Sequence, residues 1–162
     1  MSYQEQAIFF EWVKKMFRLN MNTTSTKLFH IKRGEVYWCE FGLNIGSEMS
    51  KIGPRPAVIV QNNPANYSSS NTIVIPITHH SGTQYFLVPI KKQLRPDGSV
   101  LLDGSANVSN IVCVSKARLI KRITQLPNSE MKAIDAALAR QLSIAPPQSV
   151  PSPQNNPTGK KT

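Results

Sequence analysis

Two short runs of apolar, largely β-branched residues constrain the fold of this chain more than any other feature. The first, residues 55–62, reads Arg-Pro-Ala-Val-Ile-Val-Gln-Asn, and the second, residues 73–78, reads Ile-Val-Ile-Pro-Ile-Thr. Such runs are typical of buried β-strands. Arg55 opens the first and Thr78 closes the second. If the two strands pair antiparallel, the guanidinium and the hydroxyl lie at one edge of the sheet, where they can hold a phosphate.

The charge of the chain points to a polyanionic partner. Its 162 residues carry 19 Lys and Arg against 9 Asp and Glu, a formal net charge of +10. Nucleic acid is the commonest partner of such a basic protein, and a solubilising surface or a basic tail is the alternative. Cys39 and Cys113 lie in apolar, strand-like stretches and are interpreted as buried thiols in a reducing compartment. With three histidines and no Cys-x-x-Cys, we expect no metal site.

Composition divides the chain into three parts. Residues 1–31 contain a predicted amphipathic helix and a linker, residues 32–144 form the main domain, and residues 145–162 are a Pro-rich tail predicted to be disordered. The helix, predicted over residues 2–20, packs on its own domain or a partner subunit, or else binds another partner or a membrane surface. Its apolar face comprises Ile8, Phe9, Trp12, Val13, Met16 and Phe17.

The expected location is the cytoplasm. No stretch of the sequence approaches the ~20 apolar residues that a membrane span requires. Acidic residues precede the N-terminal apolar run, and no small-residue cleavage site follows it, which is not the pattern of a secretory signal.

The main domain is predicted to be mainly β, a small and strongly bent antiparallel barrel followed by a helix. Strands are expected at residues 34–41, 55–61, 72–78, 84–90 and 111–114, with a short extension at 120–124. Between them we expect a tight turn at 115–119, a turn-rich segment at 62–71, and long loops at 42–54 and 91–110. The helix is predicted to be capped by Asn128 or Ser129 and to pack through Met131, Ile134, Leu138 and Leu142.

The main domain resembles the MazF/PemK toxin endoribonucleases of bacterial toxin–antitoxin systems. The matching segments are residues 33–38 (Arg-Gly-Glu-Val-Tyr-Trp), 46–48 (Gly-Ser-Glu), 55–62, 75–78 and 105–119, which ends Val-Ser-Lys-Ala-Arg-Leu. They follow the family's order with compatible spacing over residues 32–143. Neither the N-terminal helix nor the Pro-rich tail belongs to the usual family pattern.

The resemblance implies an SH3-like barrel with a C-terminal helix that acts as a homodimer. It implies sequence-selective cleavage of single-stranded RNA without a metal or other cofactor. It further implies neutralisation by a small antitoxin whose disordered end lies over the RNA groove, with operator DNA reached only through that antitoxin.

The same resemblance assigns catalysis to Arg55 and Thr78. Arg55, which stays charged and offers a fork of donors, stabilises the phosphorane, while Thr78 hydrogen-bonds the scissile phosphate or the 2′-hydroxyl. Ser47 and Glu48 match positions that border the RNA site, and Asn110 matches a polar amide able to read a base edge. The general base is left open among Glu48, His79 and His80.

Basic loops and aromatic side chains are the candidate RNA contacts. The candidates for binding phosphate are Lys51, Lys91, Lys92, Arg95 and Lys116. The candidate stacking faces are Tyr37, Trp38 and Phe86, of which Trp38 is expected to lie in the core. Pro56, which follows Arg55, is counted among the accessory residues of the site.

Two positions depart from the family pattern and keep other functions open. Ser109 and Val112 stand where many relatives have an acid and an arginine, which leaves cleavage rate and sequence preference open. One alternative is a CcdB-like, non-enzymatic inhibitor of gyrase, which does not need the Arg55 and Thr78 pair. The other is a basic RNA- or DNA-binding module that does not cleave.

Overall fold

The computed structural model describes residues 2–21, 30–45, 48, 53–79 and 84–144. These residues form an N-terminal helix, a set of strands and a C-terminal helix. In chain order the elements are α1 (Tyr3–Met21), β1 (Glu35–Cys39), β2 (Arg55–Ile59), α2 (Asn63–Ser68), β3 (Asn71–Thr78), β4 (Leu87–Leu94), β5 (Val100–Asn107), β6 (Val112–Ser115), β7 (Leu119–Gln125) and α3 (Asn128–Gln141). Two single 3₁₀ turns, Val108–Asn110 and Lys116–Arg118, flank β6.

All strands pair antiparallel in one sheet of order β4-β5-β3-β2-β1-β7. Strand β3 has two neighbours on its second side: β6 beside its first half and β5 beside its last two residues. The two ends of the strand order meet, because the Thr124 hydroxyl of β7 donates to Gln93 Oε1 of β4 at 2.8 Å. The sheet therefore curls into a half-barrel, and the mainly β fold with a C-terminal helix is confirmed.

The central strands are buried on both faces, which explains their continuous apolar sequence. On one face Val36, Val58 and Ile75 pack with Met131 and Ile134 of α3. On the other face lies a second cluster, comprising Ile31, Tyr37, Cys39, Phe41, Ala57, Ile59, Val74, Val114 and Leu119. Burial raises the pKa of the Cys39 thiol to about 12. Cys113, in contrast, is exposed, so its predicted burial is wrong.

The predicted loop at residues 91–110 is wrong, because most of it forms a hairpin. Strand β4 continues to Leu94, a turn follows, and β5 returns from Val100. The turn is closed by the Arg95 backbone N–H, which donates to Ser99 O at 2.8 Å, and Gly98 adopts a φ of +80°. Polar residues and a glycine within β5 conceal the strand in the sequence, and pairing with β3 and β4 overrides their low strand propensity.

Two smaller predictions also differ from the structure. The connection after β2 contains α2, whose N-cap Asn62 accepts a hydrogen bond from the Ala65 N–H at 2.9 Å. Helix α3 begins one residue earlier than an Asn128 cap requires and two residues earlier than a Ser129 cap requires: Pro127 occupies the N-cap and no side chain caps the helix. Its first-turn Glu130 is buried and accepts instead from the Lys91 backbone N–H at 3.0 Å, which ties α3 to β4.

Helix α1 packs on its own domain through one side. Trp12 is 8% exposed, whereas Phe9 and Phe17 are 47% and 67% exposed. Most of the predicted apolar stripe is therefore open to solvent, and Trp12 alone of its members is buried. No helix within the described ranges has the length and apolarity to cross a membrane. The predicted linker lies largely, and the predicted tail wholly, outside the described residues.

Candidate active site

Arg55 and Thr78 lie side by side on adjacent strands. Strands β2 and β3 pair with Ala57 opposite Pro76 and Val58 opposite Ile75. Continuing this register by two residues places Arg55 opposite Thr78 at one edge of the sheet. Both residues are partly exposed, and both line the same groove. The antiparallel arrangement inferred from the two apolar runs is therefore the one the fold adopts.

The groove has a volume of about 770 Å³ and contains more polar groups than the sequence indicates. Its lining residues come from β1, β2, β3, the β4–β5 hairpin and the residues just before β4, so residues distant in sequence share one groove. The residues that line it include Trp38, Arg55, Pro56, Thr78, His79, Gln84, Phe86, Arg95, Asp103 and Asn107.

The hydroxyl of Thr78 has no hydrogen-bond partner among the described residues, although its oxygen is shielded from solvent. Buried hydroxyls are normally satisfied, and an exception calls for an explanation. Strand β5 passes close to the main chain of Thr78: Gly104 has a φ of +121°, and a Cβ there would lie 2.1 Å from the Thr78 carbonyl oxygen. Only glycine allows β5 to pass this close to the main chain of Thr78, so Gly104 helps to set the position of Thr78.

The β4–β5 hairpin contributes groove residues whose place the sequence did not reveal. The Arg95 guanidinium donates to Ser99 Oγ at 3.1 Å and to the Val100 carbonyl at 2.7 Å, which holds it at the hairpin turn. Asp103 lies two residues before Ser105, the pairing partner of Thr78, and its carboxylate accepts from the Gly104 N–H at 2.8 Å. Because the sequence predicts a loop for this segment, it does not bring Asp103 to the groove that Thr78 lines.

His79, Pro56 and two aromatic residues are also in the groove. His79 follows Thr78 and is exposed, and Pro56 pairs with Trp38 across β1 and β2. Trp38 is only partly buried and lines the groove, so its expected place in the core is wrong. Phe86, which directly precedes β4, lines the same groove. Together these side chains give the groove apolar, aromatic surface beside its charges.

Lys116 and Tyr37 are in the protein core, and their predicted contacts with RNA are wrong. Lys116 is 1% exposed, its ammonium donates to the Asn66 carbonyl oxygen, and burial lowers its pKa. Tyr37 is 3% exposed and donates to Glu35 Oε2 at 3.2 Å. Burial, followed by the charge of Glu35, raises the pKa of Tyr37 to about 12.

The other candidate residues do not meet at the groove. Glu48 is exposed, and its carboxylate accepts from the Ile45 N–H at 3.3 Å. Asn110 ends a 3₁₀ turn and is not among the groove residues; the nearby Asn107 lines the groove, and its amide oxygen accepts from Ser109 Oγ at 2.6 Å. Lys91 and Lys92 are exposed on β4 and are not among the groove residues. Ser47, Lys51 and His80 lie outside the described residues.

Within the part of the chain that the structure describes, no three His, Cys, Asp or Glu side chains come together in a way that could hold a metal ion. The groove is lined by the guanidinium groups of Arg55 and Arg95, an imidazole, a carboxylate, amide groups and aromatic side chains, and its lining residue Thr78 adds a shielded hydroxyl that has no partner among the described residues. This combination can bind a phosphodiester, move a proton and stack a base.

Comparison with protein families gives a match over most of the chain. Residues 32–142 match the family described as the PemK-like, MazF-like toxin of type II toxin–antitoxin systems. Endoribonuclease MazF2 of Mycobacterium bovis and endoribonuclease MazF6 of Mycobacterium tuberculosis are each 31% identical to this chain over 115 residues. That alignment covers 70% of this chain and 98% of each relative.

Solved structures show the same fold. A mycobacterial endoribonuclease in complex with its cognate antitoxin superposes with a TM-score of 0.59 at 26% identity, over 72% of this chain and 99% of that one. MazF from Deinococcus radiodurans gives a TM-score of 0.61 at 17% identity, with the same two coverages. The second similarity concerns the fold alone.

Proposed function

This chain belongs to the PemK-like, MazF-like toxin family, and we propose that it is the toxin of a toxin–antitoxin pair, an endoribonuclease that cleaves single-stranded messenger RNA. One observation supports the proposal above all others. Arg55 and Thr78 lie opposite each other at the edge of a groove, and the Thr78 hydroxyl has no partner among the described residues. A guanidinium and a free hydroxyl side by side suit a phosphodiester.

RNA cleavage without a metal makes three demands on a site. The ribose 2′-hydroxyl must lose a proton, the pentavalent phosphorane must be stabilised, and the leaving 5′-oxygen must gain a proton. Arg55 meets the second demand, because its fork of donors matches two phosphoryl oxygens and keeps its charge throughout. Thr78 fixes the phosphate or the 2′-hydroxyl for in-line attack after a rotation about χ1, the smallest movement that turns its hydroxyl toward a ligand.

Proton transfer falls to the titratable groups of the groove. Among the described residues these are His79, next to Thr78, and Asp103, on the neighbouring strand. Glu48, the acid favoured by the family pattern, caps its own turn and is not among the residues lining the groove. We therefore place proton transfer on His79 and Asp103, while Glu48 borders the site.

RNA is held by charge and by stacking. Arg95 and Arg55 supply positive charge to the groove, consistent with the formal charge of +10 on the whole chain. Trp38 and Phe86 offer aromatic faces on which unstacked bases can lie, the usual way in which proteins bind single-stranded RNA. Asn107 presents an amide to the same groove and takes the base-reading role suggested for Asn110.

The partners follow from the family. We propose that the chain works as a homodimer, is neutralised by an antitoxin that covers the groove, and reaches operator DNA only through that antitoxin. One structural neighbour is an endoribonuclease bound to its cognate antitoxin, which supports this proposal. We also propose that the protein acts in the cytoplasm, where messenger RNA is translated.

The test is cleavage of a long single-stranded RNA by the purified protein in EDTA, with the new ends mapped. The expected products carry 2′,3′-cyclic phosphate and 5′-hydroxyl ends at a short recurring sequence. RNA binding with no cleavage would instead identify a binding module, and stabilised gyrase–DNA breaks would identify a gyrase inhibitor. Either outcome refutes the proposal.

A further inference from the structure

Helix α1 lies outside the residues that match the family, yet it contacts the main domain beside the active site. The family match begins at residue 32, whereas α1 ends at Met21. Its buried side meets the segment 40–42, which follows β1 directly. The last residue of β1, Cys39, is the pairing partner of Arg55. The end of β1 that α1 contacts is therefore the end that pairs with Arg55 of β2.

An ion pair joins α1 to this segment. The Lys15 ammonium contacts Glu40 Oε1, and the side chain of Glu40 is 1% exposed. The second carboxylate oxygen, Oε2, has no partner among the described residues. Lys15 therefore supplies the cation that pairs with a buried carboxylate, and without it that carboxylate would lose its ion pair.

The indole of Trp12 closes over the same segment. Gly42 has a φ of +79°, and a Cβ there would lie 1.9 Å from the Trp12 ring, so the ring rests directly on the main chain. The ring also contacts Arg118, whose guanidinium carbon is 5.5 Å from the ring centroid. Arg118 in turn donates to the carbonyl oxygens of Glu40 and Phe41, both at 2.9 Å.

These contacts form a single clamp. Lys15 holds the side chain of Glu40, and Arg118 holds the carbonyl oxygens of Glu40 and Phe41. Trp12 covers Gly42, so the segment that continues β1 beyond Cys39 is held at each of its residues. We propose that Lys15 and Trp12 are positioning residues for Arg55: they act through residues 40–42 and β1, and they touch no substrate. The proposal rests on the proposed function, because it assigns α1 a part in RNA cleavage.

The test compares two neighbouring lysines of the full-length chain. Lys15→Met removes the cation from Glu40, whereas Lys14→Met removes the same charge from an exposed pair with Glu11. We expect Lys15→Met to lower the single-turnover cleavage rate at saturating protein by about 10- to 100-fold, since a small misplacement of a catalytic group has effects of this order. Lys14→Met should cleave at the wild-type rate.

Two further measurements separate positioning from stability or charge. Affinity for an RNA with a 2′-O-methyl group at the cleavage site should be unchanged in Lys15→Met, because Lys15 is not in the groove. Lys15→Arg should restore the rate, because it restores the cation.

If Lys15→Met does not fold, Trp12→Phe serves in its place, since it loosens the contact with Gly42 while keeping an aromatic ring.

Three results are distinguishable. Cleavage by the wild type and equally fast cleavage by folded Lys15→Met or Trp12→Phe overturns the inference and leaves the proposed function standing. Loss of RNA affinity together with rate also overturns it. No cleavage by the wild type overturns the proposed function itself.

Discussion

Thr72 and Thr78 stand near opposite ends of the same strand, β3, and the fold treats their hydroxyl groups differently. Thr72 is fully buried and donates to Asn66 Oδ1 at 2.8 Å. Thr78 has a shielded hydroxyl with no partner among the described residues. At the first end of β3 the buried hydroxyl is thus hydrogen-bonded. The second end is part of a groove wall, and its hydroxyl is left without a hydrogen-bond partner among the described residues.

The surroundings of the two threonines differ in the same way. At the first end, the Asn66 amide donates to the Gln61 carbonyl at 3.0 Å, and the Lys116 ammonium donates to the Asn66 carbonyl. At the second end, Arg55 and Asp103 face a groove open to solvent. A buried polar group with partners stabilises a fold, whereas one without partners destabilises it slightly and is available to a ligand. The comparison therefore separates a structural end of β3 from a functional one.

Removing Arg55 should have the largest effect and sharpens the comparison most. Arg55→Ala removes the donor that faces the developing charge, so we expect RNA cleavage to fall by about 10²–10³-fold, as for other transition-state donors. The free energy of unfolding should hardly change, because the side chain is partly exposed. Single-turnover cleavage and urea denaturation of the same preparation measure both quantities.

A charge-matched control accompanies Arg55→Ala. Arg140 is exposed in the last turn of α3, away from the groove residues, so Arg140→Ala removes one positive charge and should retain cleavage. Equal losses in the two variants would mean that net charge, not the position of Arg55, drives the reaction. The contrast between the two ends of β3 would then have no catalytic meaning.

Gly104→Ala tests whether close packing of β5 sets the place of Thr78. The new Cβ would lie 2.1 Å from the Thr78 carbonyl oxygen, so one of the two strands must shift. We expect cleavage to fall by about 10- to 100-fold through misplacement. Stability should also fall, by about 1–3 kcal/mol, because alanine adopts a positive φ only with strain.

Gly98→Ala is the matched control, since Gly98 also has a positive φ, of +80°, but a Cβ there has no neighbour within 4 Å. It should lose stability and keep cleavage, measured at a temperature where both variants are folded. Full activity of folded Gly104→Ala would show that Thr78 tolerates displacement.

The two threonines can be compared directly with isosteric replacements. Thr78→Val removes a hydroxyl without a partner, so it should unfold at the same or higher denaturant concentration while cleaving about 10-fold more slowly. Thr72→Val leaves Asn66 Oδ1 unsatisfied, so it should lose about 1–3 kcal/mol of stability and keep its cleavage rate. Denaturation and cleavage assays on both variants measure stability and cleavage rate. If both variants lost stability and cleavage rate to the same extent, the two ends of β3 would not differ in function.

Much of the functional end of β3 could be predicted from the sequence, because it depends on local patterns. Two apolar runs gave the strands, and antiparallel pairing alone brought Arg55 to Thr78. The missed residues depend on long-range pairing. The strand that carries Asp103 and Gly104 reads as a loop, since Asp, Gly, Ser and Asn all disfavour strands. Only its register with β3 shows where Asp103 lies.

The residues around the structural end of β3 are hard to predict from the sequence for a related reason. Lysine is rarely buried, so Lys116 was predicted to be a surface contact for RNA. Its burial depends on a carbonyl acceptor supplied by α2, a helix hidden in a segment rich in turn-forming residues. Lys116 and Arg95 carry the same charge, but partners that are remote in sequence give them different roles.

That difference leads to the smallest predicted effect, in the salt dependence of RNA binding. Arg95 lines the groove, so Arg95→Ala should weaken binding a few-fold and lower the slope of log K against log salt by about one, the change expected for one lost phosphate contact. Lys116→Met removes the same charge from the structural end of β3 and should leave the slope unchanged while lowering stability, because the Asn66 carbonyl loses its donor. Titrating a 2′-O-methyl RNA at several salt concentrations measures both slopes. An equal decrease for the two variants would mean that RNA senses the total charge of the domain, whereas a decrease confined to Arg95→Ala locates the phosphate contact at the groove.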